Sequence, residues 1–200
     1  IKFLAMPTPF RHLGFFPEQA SHWDFIEQKI IEANQTKNFL ETAPSESKGQ
    51  GTHTFLKNPL SDLPKKPLKF LNLFGYTGIA SLFALRAGAE VTHIDASKQS
   101  LKWAKENQKL NALVAKMPMR VIEDDVIKFL EREIKRGNKY DAVIMDPPKF
   151  GRGPKGETWK IENDLPKLLS LVQKVLSEKI LFIILTSYAI DSSSLPLHYA

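Results

Sequence analysis

Leu68-Lys69-Phe70-Leu71-Asn72-Leu73-Phe74-Gly75-Tyr76-Thr77-Gly78-Ile79 is the stretch on which the fold turns. Residues 68–74 form an apolar run of strand length, Gly75 to Gly78 supply a turn, and residues 79–87 read as a helix stopped by Gly88. The same alternation continues downstream. Residues 90–95 make a second strand, Ser97 opens a helix to Asn111, and residues 119–122 make a third strand. A helix over about 125–136 ends at Gly137-Asn138, and a fourth strand over 140–145 is stopped by Asp146-Pro147-Pro148. After a loop, a helix over 162–176 leads to a fifth strand at 180–185. This order predicts the α/β class: a Rossmann-like parallel sheet with helices on both faces.

Upstream the texture differs. Trp23, Ile26, Ile30 and Ala33 recur at helical spacing, which predicts an amphipathic helix from about residue 18 to 34. Residues 35–67, rich in Thr, Ser, Gly, Asn, Lys and Pro, read as irregular chain with short strands near 52–56. The expected organisation is therefore a helix and irregular extension over 1–67, followed by a ligand-binding domain over 68–200. Ser192-Ser193-Ser194 would cap another helix just before Ala200, so the C-terminal strands of the sheet are expected to be missing.

Composition narrows the function classes. The chain has 200 residues, 42% of them hydrophobic, which suffices for a real core. It has no cysteine, which excludes a disulfide framework, a thiolate zinc site and a cysteine nucleophile within these residues. The run over 180–185 is far shorter than the ~20 apolar residues needed to span a bilayer. Pro7, Pro9 and Arg11 break any signal-peptide-like start, so a cytoplasmic protein is expected. The five histidines show no metal-ligand spacing, and Trp23 and Trp103 read as core anchors.

In a doubly wound sheet, ligands bind beyond the carboxyl ends of the strands. Four such ends carry candidate residues. Gly75 and Gly78 allow close backbone approach ahead of a helix N-terminus, although a Gly-x-Gly-x-x-Gly fingerprint is absent. Asp95, twenty residues after Gly75, suits ribose hydroxyls, while the Asp95/Ser97 pair equally suits helix capping. Glu123-Asp124-Asp125-Val126 offers a carboxylate for an exocyclic amine, or a cap. Asp146-Pro147-Pro148-Lys149-Phe150 is the most specific, because two prolines fix the backbone and leave the carboxylate and carbonyls facing outward beside an aromatic ring.

Taken in order, residues 73–78, 94–97, 123–126 and 145–150 resemble the motifs of class I S-adenosylmethionine-dependent methyltransferases. More narrowly they are similar to the group containing the bacterial 23S ribosomal RNA cytosine-C5 methyltransferase, over about residues 12–190, with Phe16-Pro17-Glu18-Gln19 and Trp23 fitting an upstream motif. The resemblance implies S-adenosyl-L-methionine as cofactor and RNA as substrate. It implies that Phe74, Gly75, Tyr76, Thr77 and Gly78 wrap the methionine part, that Asp95 with Ala96 and Ser97 holds the ribose, and that Asp125 and Val126 face adenine. Asp146, Pro147, Pro148 and Phe150 would then border the methyl acceptor.

Three departures refine this. The cytosine-5 relatives have Ser-Cys-Ser after the fifth strand where this chain has Thr186-Ser187-Tyr188, so transfer to nitrogen or another intrinsically nucleophilic atom is expected in place of thiolate-dependent carbon methylation. Ala20 stands where the relatives have Arg, and their N-terminal RNA-binding domain is expected to be missing. For substrate contact, Lys149, Arg152, Lys155, Trp159 and Lys160 mix cations with an aromatic ring, as single-stranded RNA would require, although a solvated loop would look the same. The rival readings are a nicotinamide-dependent oxidoreductase, which would call for the missing three-glycine pattern, and an RNA-binding domain without catalysis.

Overall fold

The computed structural model describes residues 1–6, 13–42 and 67–186, with side chains described for all of these except 37–42. The short strands expected near 52–56, together with Ser187, Tyr188 and the Ser192-Ser193-Ser194 cap, lie outside the described residues.

A 3-10 turn at Pro17–Gln19 leads into α1 (Ala20–Thr42). There follow β1 (Lys69–Leu73), α2 (Ile79–Arg86), β2 (Glu90–Asp95), α3 (Lys98–Lys109), β3 (Met119–Glu123), α4 (Val126–Lys135) and β4 (Ala142–Met145). A hairpin of β5 (Phe150–Arg152) and β6 (Thr158–Lys160) precedes α5 (Ile161–Val175) and β7 (Phe182–Leu185). The main sheet is parallel, in the order β3-β2-β1-β4-β7. Parallel strands covered on both faces must be apolar on both, and β1 shows how this is met. Phe70 packs with Trp23, Ile26 and Ile30 of α1 and Leu82 and Leu85 of α2, while Leu71 and Leu73 face Phe129, Leu130, Leu168 and Val172 of α4 and α5.

Two expectations are corrected here. The first helix runs on to Thr42 because Asn34 does not end it: its side-chain amide donates to the Ala87 carbonyl at 2.9 Å and ties α1 to the end of α2. The Glu27 carboxylate, bound by Arg86 of α2, makes a second tie. The segment read as a loop after Pro148 contains the β5–β6 hairpin, whose turn is closed by Gly153 N–H to Glu157 O at 2.8 Å and by Gly156 at φ 88°. Helix starts match local chemistry: the Ser97 hydroxyl accepts from Ser100 N–H, and the Asp125 carboxylate from Lys128 N–H. No helix among the described residues is long and apolar enough to cross a membrane.

Away from the strand ends, Glu133 is fully buried yet charged. It accepts from Arg120 of β3 at 3.1 and 3.2 Å, from Arg136 at 2.9 Å, and from Asn138 and the Tyr140 hydroxyl at 2.7 Å each. Burial alone would push this carboxyl up, but the hydrogen bonds from Arg120, Tyr140, Asn138 and Arg136 outweigh it and hold the group down to about 2. A carboxyl depressed on folding stabilises above its ordinary value, and that gain is lost as pH falls toward the folded value. Glu133→Gln is therefore expected to cost about 2–3 kcal/mol near neutral pH, because the Tyr140 hydroxyl and its neighbours lose a charged acceptor. Thermal unfolding followed from pH 7 downward should show the gap between wild type and variant narrowing between about pH 4.5 and 2. A gap that stays constant over that window would refute the charge-based account.

Candidate functional site

The sheet order places β2 and β3 on one side of β1, and β4 and β7 on the other. The order in which strands are added thus reverses between β1 and β4, the switch point where the loops diverge and leave a crevice. Leu73 pairs with Met145 across that point, so Phe74 and Asp146 emerge side by side. Ile94 pairs with Leu73 and Leu185 with Met145, which brings Asp95 and Thr186 to the same edge.

A cleft open to solvent lies there, lined by Phe15, Phe16, Gln19 and Trp23 from the N-terminal segment and by residues 74–78 and Asp146 from the sheet edge. The β1–α2 turn is wound tightly. Phe74 and Tyr76 adopt left-handed φ values of 56° and 49°, rare for side chains of this size. Gly75 N–H donates to Ile94 O at 2.9 Å, and Gly78, at φ 82°, donates to Gly75 O at 3.0 Å. Beneath the turn, His93 is fully buried with Nδ1 3.0 Å from the Ser81 hydroxyl, which in turn accepts from Asn72 at 2.9 Å. Burial pushes the His93 imidazole down to about 4, so it is neutral near pH 7.

Asp95 is engaged through both oxygens, accepting from Tyr76 N–H at 2.9 Å and Ser97 N–H at 2.8 Å. Burial pushes its carboxyl up, against the pull of these backbone donors. The Ala96 N–H also acts on this carboxylate, and with about four acceptor directions it keeps capacity for one further donor. Capping and ligand binding are thus compatible in one side chain. Tyr76 is also shifted up, by burial and by the Asp95 charge.

The N-terminal segment is strapped over the turn. The Thr77 hydroxyl donates to Gly14 O at 2.5 Å, the Asn107 side chain donates to Thr77 O at 3.0 Å, and the Phe16 and Tyr76 rings lie 5.9 Å apart. Most important, the Asp146 carboxylate is gripped from two sides, by the Gln19 side-chain amide at 2.8 Å and by the Thr186 hydroxyl.

Of the residues singled out in the sequence, Phe74, Gly75, Tyr76, Thr77, Gly78 and Asp146 line one cleft, and Asp95 joins them through Tyr76 N–H. Ala96, Ser97, Asp125, Val126, Pro147, Pro148 and Phe150 do not line it. Asp125 serves as the cap of α4, and Val126 is buried with Phe129 in the core beneath. Phe150 is 60% exposed on the hairpin beside Lys149. Trp159 corrects an expectation: it is buried, its ring 4.9 Å from that of Phe74 and its Nε1 donating to Pro148 O at 2.7 Å, so it braces the Asp146-Pro147-Pro148 segment and offers no face to a base. Sequence reasoning placed Gln19 only in an upstream motif and assigned no part in the site to Gln19 or Thr186. Both stand in motifs of the family resemblance, but their meeting on Asp146 is visible only in three dimensions.

Comparison with known proteins adds the following. The family model described as Conserved hypothetical protein 95 matches residues 58–186. A ribosomal RNA large subunit methyltransferase K/L of Pseudoalteromonas translucida is 38% identical over 114 residues, which is 56% of this chain and 16% of that protein. A ribosomal RNA large subunit methyltransferase K of Neisseria meningitidis is 34% identical over 111 residues, covering 54% of this chain and 31% of that protein. The crystal structure of a SAM-dependent methyltransferase from Agrobacterium tumefaciens superposes with a TM-score of 0.79 at 42% identity, covering 98% of this chain and 53% of that one. The chain thus spans about a third or less of the length of these two curated relatives and about half of the solved one.

Proposed function

The chain belongs to the family described as Conserved hypothetical protein 95, and from that membership and the geometry of its β1–β4 edge we propose that it is an S-adenosylmethionine-dependent methyltransferase acting on RNA, with ribosomal RNA as the first candidate. The observation that carries this reading is the meeting of the wound Phe74–Gly78 turn and the Asp146 carboxylate on one cleft at the switch point of the sheet. The likeness to a solved methyltransferase and to two ribosomal RNA methyltransferases supports it.

The residues present fit the cofactor. The wound Phe74–Gly78 turn lines the cleft, aromatic rings wall it, and Asp95 keeps acceptor capacity for a ribose hydroxyl. When bound, the cofactor supplies an electrophilic methyl group on a sulfonium whose sulfur leaves with the bonding electron pair as a neutral thioether. The protein's part is alignment. Asp146 accepts a hydrogen bond from an acceptor N–H, orients the nitrogen lone pair toward the methyl carbon, and takes up the proton released as the N–C bond forms. Thr186 stands where the similar cytosine-5 enzymes have the first residue of Ser-Cys-Ser, and a nitrogen acceptor needs no thiolate. Arg152, Lys155 and Lys160 are exposed on the hairpin with Phe150 and supply charge for phosphates and a ring for a splayed base. Asp125 and Val126 remain the candidates nearest an adenine ring, by the family resemblance.

Calorimetric titration of the full chain tests the core. S-adenosylhomocysteine should bind and NADH should not. Asp95→Ala should weaken binding at least roughly tenfold through loss of a charge-assisted hydrogen bond. Unchanged affinity in that variant would remove the ribose role, and the absence of binding in wild type would sink the enzyme reading.

A further inference from the structure

Gln19 and Asp146 lie 127 residues apart in the chain, yet the Gln19 amide donates to one oxygen of the Asp146 carboxylate at 2.8 Å while Thr186 donates to the other. Gln19 is 8% exposed and Thr186 7%, so neither contact is an accident of a solvated surface. Both donors are themselves held from behind. Gln19 N–H is spent on Phe16 O at 3.0 Å, within the turn that starts α1, and Thr186 N–H on Met145 O at 3.0 Å, next to Asp146 in sequence. Trp23, one turn into α1, is buried against Phe83 of α2, which fixes the helix that carries Gln19.

We propose that Gln19 is a positioning residue for methyl transfer: together with Thr186 it locks the rotation of the Asp146 carboxylate, so that the remaining lone pair on each oxygen faces the acceptor pocket. The inference rests on the reading of Asp146 as the residue that meets the acceptor. Its physical basis is simple. The terminal torsion of an aspartate is broad, so an unrestrained carboxylate samples many orientations. A carboxylate has about four acceptor directions. Two donors on opposite oxygens remove the rotational freedom and occupy only half of them. What is left matches an acceptor that donates N–H groups, such as an exocyclic amine or ring N–H of a nucleobase. The N-terminal segment is thereby part of the reaction centre.

The test uses the full chain, with S-adenosylhomocysteine titration, thermal unfolding, and transfer of labelled methyl from S-adenosylmethionine to total RNA as readouts. Gln19→Ala should lower kcat roughly tenfold to fiftyfold while leaving the S-adenosylhomocysteine affinity within about threefold, because alignment is lost and the cofactor contacts are not. Gln19→Glu is the diagnostic variant. Near neutral pH it sets two carboxylates at hydrogen-bond distance, and activity should fall below that of Gln19→Ala. As pH is lowered the pair takes up a shared proton, the donor is restored, and activity should recover toward wild type. A filler role would move the unfolding midpoint and cofactor affinity together without inverting the pH profile. Gln19→Ala with kcat within threefold of an active wild type, or Gln19→Glu with a wild-type pH profile, overturns the inference alone. A wild type that binds no S-adenosylhomocysteine and transfers no methyl overturns it together with the function it rests on.

Discussion

Gly75→Ala is expected to abolish S-adenosylhomocysteine binding and to destabilise the fold by about 3 kcal/mol or more. A Cβ at this position would sit 2.2 Å from His93 Cε1 and 2.4 Å from Nδ1. The imidazole cannot swing away: it has no exposed surface, and Ser81 and Asn72 hold it in a buried hydrogen-bonded row. The backbone would have to move instead, and it has little slack. Phe74 and Tyr76 on either side are already in the left-handed region, and the Gly75 and Tyr76 amides are tied to Ile94 and Asp95 of β2. Any shift lifts Tyr76 N–H off Asp95 and disturbs the two groups proposed to meet the cofactor. Gly151→Ala is the matched control. Its nearest neighbours would be Pro148 Cγ at 3.4 Å and Trp159 Cβ at 3.6 Å, ordinary contacts, so its cost should stay under about 1 kcal/mol. Thermal unfolding and calorimetry on both variants decide the matter: a Gly75→Ala protein that melts and binds like wild type would show that close packing on His93 is not what requires glycine.

Asp146→Ala is expected to lower methyl transfer about a thousandfold with S-adenosylhomocysteine affinity changed no more than a few-fold. Among the described residues, Asp146 is the only carboxylate lining the cleft, so nothing nearby can take over as acceptor of an N–H or of the released proton. Its position is fixed through β4, whose register against β1 sets Met145 beside Leu73, and through the grip of Gln19 and Thr186. The direction of the split matters. A large loss of kcat at constant cofactor affinity assigns Asp146 to the acceptor side. Equal losses in both would assign it to the cofactor, and retention of kcat within tenfold would remove it from the chemistry.

Much of the architecture was legible because the information is local. β2 runs over Glu90–Asp95 as its apolar pattern predicts, and Ser97 and Asp125 cap helices where capping chemistry puts them. Other ends moved by one or two residues: β4 begins at Ala142 and β7 at Phe182, where ladder bonding to neighbouring strands begins. The β5–β6 hairpin was not legible. Three-residue strands carry too little pattern to be distinguished from a polar loop, and their pairing is set by the turn at Gly153–Gly156 and by Glu157, which Lys128 of α4 holds in an ion pair. Trp159 misled for the same reason. A tryptophan among lysines reads as a surface ring until the fold brings Phe74 and the Pro148 carbonyl against it.

What the sequence determined by itself is the order of the five main-sheet strands and their helices, the parallel α/β class, and the four strand ends on which polar and glycine residues gather. Hydrophobic period, turn chemistry and capping act over a few residues and leave their mark in the chain as written. Only the tertiary structure decided which of those ends meet. The reversal between β1 and β4 selects Phe74–Gly78 and Asp146 as cleft partners, buries Val126 in the core, and sets His93 under Gly75. It also brings Gln19 and Thr186, 127 and 40 residues away in the chain, onto one carboxylate. Such contacts form because strand pairing and helix packing set distances between remote segments, a constraint that no local stretch of sequence carries.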